Sequence, residues 1–202
     1  MAGQHRSNKV VLVRHAETEW SLSGRHTSVT DLPLTKEGRS KAKTIGALLE
    51  GRRFELVLTS PMKRSVETCQ IAGFGEPAQI REGLVEWNYG DYEGLTTEQI
   101  RERRPDWLLW TDGAPGGEDP VQVRSRVDDI IDEVCTFRGD VAIFSHGHLL
   151  RALAARWITL SVAEGRLFRL STGALSTLGW EREIRVIDEW NRTPQQSREA
   201  IR

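Results

Sequence analysis

Two short apolar runs that each lead to a histidine constrain this chain more than any other feature. Residues 10–13 and 141–144 are apolar, and His15 and His146 lie two residues beyond the ends of these runs. A short apolar run bounded by polar residues and glycine is typical of a strand buried on both faces. In open α/β sheets, ligands bind outside the carboxyl ends of such strands. We therefore expect both histidines at one site, and the adjoining Arg14 indicates that this site binds an anion.

Helical patterns fill the stretches between the apolar runs. Thr35 is typical of an N-cap, and Thr96 with Gln99 predicts a capping box. Ser60–Pro61 and Asp119–Pro120 each predict the first residues of a helix. A further helix is expected from about residue 148 to 158. Repeated strand and helix units predict a three-layer α/β/α fold with a mostly parallel central sheet.

Shorter segments complete the expected sheet and its loops. Residues 56–59 predict a second buried strand, and residues 78–85 allow a short strand. The alternation over residues 168–190 predicts a hairpin at the sheet edge. Residues 111–119 contain glycine and proline in close succession and are expected to form a loop.

Length, charge and cysteine content exclude several classes of protein. The 202 residues predict a single domain over residues 1–202, with a polar tail from about residue 192. A net charge of −1 gives no overall field that would recruit nucleic acid or a membrane surface. Cys69 and Cys135 form no closely spaced motif, which argues against a disulfide framework or a cysteine zinc site. Residues 1–9 are polar and the first apolar run is short, so a cytoplasmic protein is expected.

Four segments, taken in order, carry a recognisable pattern. They are Arg14-His15-x-Glu17-Thr18, residues 58–68 with Arg64, residues 84–94 with Glu86, and Ser145-His146-Gly147. Together they resemble the histidine phosphatase superfamily, the phosphoglycerate-mutase-like proteins, over residues 10 to about 180. The resemblance implies a phosphoglycerate-mutase-like fold and chemistry on small-molecule phosphomonoesters.

The resemblance also implies a role for each residue, and the residue types agree with it. His15 would be the nucleophile that accepts the phosphoryl group and passes it to water. Glu86 would protonate the leaving oxygen and then deprotonate the water. Arg14 and Arg64 offer charged forks that match phosphate oxygens. His146, as an imidazolium, would be a further phosphate donor and the third catalytic residue.

Other positions are expected at the edge of this site. Gly147 begins a helix whose first N–H groups would bind phosphate, and Ser21 stands where many family members have asparagine. Thr27 and Arg103 are candidates for a substrate loop. Ala16 replaces the usual glycine after the first histidine.

Every one of these residues also has an ordinary structural explanation. A histidine at a strand end is often only a hydrogen-bonding group, and Arg64 alone would be a surface helix residue. Glu93 lies in the same loop as Glu86 and is the rival carboxylate. His148 is expected on a helix surface or behind the site, and Arg25 and His26 are undecided. No carboxylate at ligand spacing accompanies His146 and His148, so no metal or other cofactor is expected.

The sequence favours a phosphatase with an acidic pH optimum over two alternatives. A phosphoglycerate mutase is the first, but this chain lacks the inserted segments that would close its pocket, and only Arg101–Arg104 offers a basic cluster. A non-catalytic phosphate-binding module is the second, but it would need no proton donor. A dinucleotide site is excluded because no Gly-x-Gly-x-x-Gly follows the first strand. The substrate is left open, and so is the oligomeric state, with a homodimer among the choices.

Overall fold

A single mixed sheet forms the centre of the computed structural model, which describes residues 8–193. Its six strands have the order β3-β2-β4-β1-β5-β6. They are β1 Val10–Arg14, β2 Leu56–Thr59, β3 Ala78–Ile80, β4 Val141–Ser145, β5 Leu175–Glu181 and β6 Ile184–Arg192. The first four strands in chain order pair in parallel, whereas β5 runs antiparallel to both β1 and β6. The prediction of a mostly parallel sheet is confirmed.

Helices cover the sheet and begin mostly where the sequence places their caps. They are α1 Glu19–Leu22, α2 Lys36–Leu49, α3 Lys63–Ile71, α4 Thr97–Arg103, α5 Leu109–Asp112, α6 Pro120–Val134 and α7 Gly147–Trp157. Short 3-10 turns occupy Glu82–Leu84, Gly90–Tyr92 and Val162–Leu167. Thr35 caps α2, Thr96 with Gln99 forms the expected capping box on α4, and Asp119 caps α6.

Alternate strand residues face opposite helical layers. Val10 and Leu12 pack in one core with the apolar faces of α6 and α7, whereas Val11 and Val13 pack in a second core with α2 and α3. This alternation follows from the two-residue period of a strand, because β1 is covered on both faces. The expected three-layer α/β/α arrangement is confirmed.

The register of the two central strands brings the histidines together. Arg14 lies opposite Ser145 in the parallel pair of β1 and β4, so the residues that follow each strand are neighbours. The ring centroids of His15 and His146 are 5.2 Å apart. The helices that follow β1 and β4 cover opposite faces of the sheet. In such folds, ligands bind outside the carboxyl ends of the two strands where the chain changes face in this way.

One predicted helix start was wrong for a physical reason. The helix expected at Ser60–Pro61 begins at Lys63, with Met62 as an N-cap whose side chain makes no capping bond. The hydroxyl of Ser60 instead contacts Nε2 of His146 at 2.7 Å. The hydroxyl that we expected to cap the helix is therefore engaged by a histidine 86 residues further along the chain.

Other boundaries also differ from the expectation. The hairpin is present, but its first strand begins at Leu175, and residues 168–174 approach it outside any strand. Only Ala78–Ile80 of the stretch 78–85 is a strand, and α5 includes the first two residues of the expected loop 111–119. Arg192 belongs to β6 rather than to the polar tail, and residues 194–202 lie outside the described residues. Within residues 8–193, no helix has the length and apolar character to cross a membrane.

Candidate active site

A pocket of about 200 Å³ opens at the carboxyl ends of β1 and β4. Six residues singled out from the sequence line it: Arg14, His15, Ser21, Thr27, Glu86 and Gly147. Two others, Arg64 and His146, are fully buried and contact residues behind this lining. Arg103 is exposed near the end of α4 and does not line the pocket, so its assignment to a substrate loop finds no support.

A backbone hydrogen bond fixes which ring nitrogen of His15 carries the proton. Its Nδ1 lies 2.7 Å from the carbonyl oxygen of Ala16, which can only accept, so Nδ1 carries the proton. Nε2 therefore keeps its lone pair. Burial lowers the pKa of His15 well below 6.5, and the positive charges of Arg64 and Arg14 lower it further. The neutral ring that a nucleophile requires is thus the favoured form.

Arg14 retains hydrogen-bonding capacity for a ligand. Its Nη1 donates to the carbonyl of Leu170 at 2.5 Å, whereas its buried Nε has no partner among the described residues. A Cβ on Gly147 would lie 3.1 Å from Cζ of Arg14, so a side chain there would crowd the guanidinium. The guanidinium of Arg14 therefore lies beside the first residue of α7, an arrangement that suits an anion.

Arg64 is bound to the protein much more completely. Its Nη1 donates to the carbonyl of Thr30 at 3.0 Å, and Nη2 donates to those of Thr27 and Ser28 at 3.2 and 3.0 Å. Its Nε donates to Nδ1 of His146 at 3.2 Å. A guanidinium has five N–H groups, so this arrangement leaves one of them for a ligand.

The ring of His146 lies between one donor, Arg64, and one acceptor, Ser60. Because Nδ1 accepts from Arg64, the ring proton must be on Nε2, which donates to Ser60 at 2.7 Å. Burial lowers the pKa of His146 well below 6.5, with Arg64 as the next cause. The expectation of an imidazolium is therefore corrected: the geometry and the charge around the ring favour its neutral form.

Glu86 lines the pocket as an oriented carboxylate. Oε1 accepts from the backbone N–H groups of Trp87 and Leu149, both at 2.9 Å, and Oε2 accepts from that of His148 at 3.0 Å. Arg126 donates to the carbonyl of Glu86 itself at 3.2 Å and so fixes the loop. Oε1 thus accepts two backbone bonds and Oε2 accepts one.

The rival carboxylate, Glu93, has a different task. It does not line the pocket, and its oxygens accept from the N–H and hydroxyl of Ser28 and the N–H of Thr30, over 2.7–3.0 Å. Residues 27–30 are the same segment whose carbonyls bind Arg64. Glu93 thus orders a loop that in turn holds the buried arginine, and Glu86 alone of the two faces the pocket.

Comparison with known proteins agrees with this geometry. Residues 10–193 match the family model of the Histidine phosphatase superfamily (branch 1). The chain belongs to this family.

Similar proteins include both phosphatases and mutases. An acid phosphatase of Mycobacterium tuberculosis is 41% identical over 186 residues, which cover 90% of this chain and 91% of that protein. A 2,3-bisphosphoglycerate-dependent phosphoglycerate mutase of Cytophaga hutchinsonii is 31% identical over 179 residues, covering 82% and 84%. The solved structure of the open reading frame Rv3214 from Mycobacterium tuberculosis superposes with a TM-score of 0.89 at 40% identity, covering 93% of this chain and 98% of that one.

In this histidine phosphatase, eight further residues line the pocket: Thr18, Gly24, Arg25, His26, Tyr89, Thr97, His148 and Arg151. Thr18 and Tyr89 lie in two of the recognised motifs, Arg25 and His26 were undecided, and sequence reasoning did not single out the other four as lining residues. His148 does not lie on an outer helix surface, because its Nδ1 is 2.6 Å from the hydroxyl of Tyr89. Burial lowers the pKa values of both His26 and His148 from 6.5. Only the position of His148 and Arg151 in the first turns of α7 could have indicated that they face the site.

Two further observations limit the chemistry. The hydroxyl of Ser21 already donates to the carbonyl of Thr18 and accepts from its N–H, both at 2.9 Å, so it is shared with the cap of α1. Across residues 8–193, no three or more His, Cys, Asp or Glu side chains are grouped so that they could hold a metal ion.

Proposed function

We propose that this chain is a phosphatase that hydrolyses small-molecule phosphomonoesters through a phosphohistidine at His15. The single observation that carries the proposal is the hydrogen bond from Nδ1 of His15 to the carbonyl of Ala16, which leaves the Nε2 lone pair in a pocket shared with Arg14 and Glu86. Family membership and the similarity to an acid phosphatase support the same class of reaction.

The reaction proceeds in two balanced steps. Nε2 of His15 attacks phosphorus, the bond from phosphorus to the leaving oxygen breaks, and that oxygen takes a proton from Glu86. A water molecule then gives its proton to Glu86 while its oxygen attacks phosphorus, and the bond to Nε2 breaks. Phosphate and the free imidazole result.

Charge around the pocket stabilises the transferring group. Arg14 and the N–H of Gly147 contact the phosphoryl oxygens, since the next two N–H groups of α7 already donate to Glu86. Arg64 adds positive charge from behind the lining. Ser60 and Arg64 orient His146 beside the nucleophile. Since these groups provide the charge that a metal would, dialysis against a strong chelator should leave the rate of aryl phosphate hydrolysis unchanged. A large loss that one added metal restores would contradict this mechanism.

We further propose that the enzyme works best under mildly acidic conditions. Glu86 must carry a proton to assist the leaving group, and a lower pH supplies it. The lowered pKa of His15 keeps the nucleophile neutral at a pH where an ordinary histidine would be charged. The expected pH profile is therefore bell-shaped, with a maximum below pH 7.

Replacement of the nucleophile tests the proposal directly. His15→Ala should abolish turnover of a chromogenic aryl phosphate, while its thermal unfolding remains cooperative. Wild-type enzyme quenched without acid during turnover should contain an acid-labile phosphate bound to protein. Substantial turnover by the folded His15→Ala variant would exclude His15 as the nucleophile. Glu86→Gln should slow alkyl phosphates far more than the aryl phosphate, whose leaving oxygen needs less protonation.

A phosphoglycerate mutase is the second candidate, favoured by the similarity to a protein of that name. A mutase must return the phosphoryl group before water intervenes. With 3-phosphoglycerate and a bisphosphate primer, we expect free phosphate and little 2-phosphoglycerate. Efficient primer-dependent formation of 2-phosphoglycerate would make the mutase the correct function.

A further inference from the structure

One wall of the pocket carries a cation that the proposed reaction does not use. Arg151 lies on α7, one helical turn beyond Gly147, and its half-buried side chain lines the pocket. Nε donates to the carbonyl of Gly165 at 3.1 Å, and Nη2 donates to that of Arg166 at 3.2 Å. The guanidinium carbon also lies 4.6 Å from the ring centroid of Trp110. These contacts fix the group in place, so little side-chain entropy remains to be lost on binding.

No carboxylate among the described residues forms an ion pair with Arg151. Its contacts within residues 8–193 are two carbonyls and a ring, and none is a carboxylate. Among the described residues that line the pocket, Glu86 is the only acid, whereas Arg14 and the exposed Arg25 add further positive charge. Arg64 adds more from behind.

The phosphoryl dianion does not balance this charge, even together with the carboxylate of Glu86. Arg14, Arg25 and Arg151 line the pocket and Arg64 lies behind it, so four arginines face one carboxylate. Burial lowers the pKa of each lining histidine, which disfavours positive charge on these rings. A pocket with an excess of fixed positive charge selects ligands with more negative charge. Arg151, one helical turn beyond Gly147, and Arg25, beyond the end of α1, are the lining arginines that the proposed reaction does not use.

We propose that the substrate carries a second anionic group, a carboxylate or another phosphate, on its leaving-group part, and that Arg151 binds it. This inference rests on the proposed function and names its substrate class. A planar guanidinium whose Nε and Nη2 are already held by carbonyls presents its remaining N–H groups in a fixed direction, which suits such an oxygen anion.

Matched substrate pairs test the inference. O-phosphoserine and O-phosphoethanolamine differ only by a carboxylate, and fructose 1,6-bisphosphate and fructose 1-phosphate differ only by a phosphate. Phosphate release gives kcat/KM for each. We expect the wild type to prefer the more anionic member of at least one pair by roughly tenfold or more, the effect of one charged hydrogen bond. The pair with the larger ratio identifies the carboxylate or the phosphate as the preferred group.

Variants then assign the preference to one residue. Arg151→Met should bring the ratio close to one, and Arg151→Lys, which keeps charge beside Trp110, should give an intermediate ratio. Arg156→Met is the matched control, because Arg156 lies on the same helix and bonds to Asp128 outside the pocket. This variant should keep the wild-type ratio.

Failures of the two proposals are distinguishable. Hydrolysis of an aryl phosphate with ratios near one in both pairs overturns the second-anion site and leaves the phosphatase intact. A wild-type preference that persists in folded Arg151→Met overturns the role of Arg151, and if that variant does not fold, an unchanged ratio in Arg151→Lys does so instead. Absence of phosphate release from every substrate overturns the phosphatase and this inference with it.

Discussion

Arg14 and Arg64 are equivalent in the sequence but not in the structure. Each belongs to a motif near a strand end, and the same phosphate-binding role was expected of both. Arg14 lines the pocket, contacts a single carbonyl and has a buried Nε without a partner among the described residues. Arg64 lies behind the lining and donates to three carbonyls and to His146. Arg14 thus keeps most of its N–H groups for a ligand, whereas Arg64 uses all but one of its own to bind the protein.

The difference shows how one residue type can serve two tasks in a single site. Arg64 is the largest charged contributor to the lowered pKa of both His15 and His146, after burial itself. It keeps these rings neutral while most of its N–H groups hold the segment 27–30 in place. Arg14 makes fewer hydrogen bonds to the protein, so more of its N–H groups are left to bind charge that develops on a ligand in a transition state.

The largest expected effect separates the two arginines by stability. Arg64→Met should lower the free energy of unfolding by about 3–5 kcal/mol, since it leaves several carbonyls and His146 without a donor. Arg14→Met should lower it by about 1 kcal/mol or less, because one carbonyl loses a donor and a buried charge is removed. Denaturant unfolding of the two variants measures this difference.

In activity, Arg14→Met should be the variant with a specific loss, although it is the more stable of the two. In folded Arg14→Met, kcat/KM for an aryl phosphate should fall by about 100-fold or more, the usual effect of losing a transition-state donor. Equal destabilisation by both substitutions would remove the structural distinction between the two arginines.

A smaller effect should follow from the loop that holds Arg64. Glu93→Gln places an amide donor beside the N–H groups of Ser28 and Thr30, so segment 27–30 should loosen and kcat/KM should fall by about tenfold. Glu102→Gln, an exposed change on α4, is the control. If Glu93 acts through Arg64, the two effects are not additive, and Glu93→Gln should add little in an Arg64→Met background. Full additivity would mean that Glu93 acts by another route.

The strands and the two histidines were predictable because a buried parallel strand leaves a short apolar run, whatever surrounds it. His15, Arg14 and Gly147 line the pocket as expected, since a strand end and a helix start position them locally. Glu86 also lines it, but the resemblance rather than a local pattern indicated that loop residue. The partners of Arg64 were not predictable, because they are backbone carbonyls of a loop whose path depends on Glu93 far along the chain.

The pocket wall escaped prediction for a related reason. Arg151 reaches the site from a helix whose start was recognised, but its direction depends on contacts with Trp110 and a 3-10 turn that no sequence pattern marks. Ser60 was assigned to a helix cap because its bond to His146 spans much of the chain. Contacts between loops require the folded arrangement, whereas contacts along a strand or helix do not.

The smallest expected effect is on the pH dependence of the free energy of unfolding. It shows how strongly the charge of each arginine acts on the two histidines. The pKa values of His15 and His146 are lowered in the folded state, so below pH 6.5 the unfolded chain binds protons that the folded chain excludes. The stability these rings provide is complete above about pH 6.5 and is lost as the pH falls, by about 1.4 kcal/mol per histidine for each pH unit.

This loss should be shallower in Arg64→Met than in Arg14→Met, because Arg64 is the stronger charged cause for both rings. Burial, the main cause, remains in each variant, so the difference should be below about 1 kcal/mol between pH 6.5 and about 5.5. Denaturant unfolding at several pH values over this range measures the two slopes. A steeper loss in Arg64→Met would show that this arginine does not act on the histidines through its charge. Its contribution to the site would then be its hydrogen bonds alone.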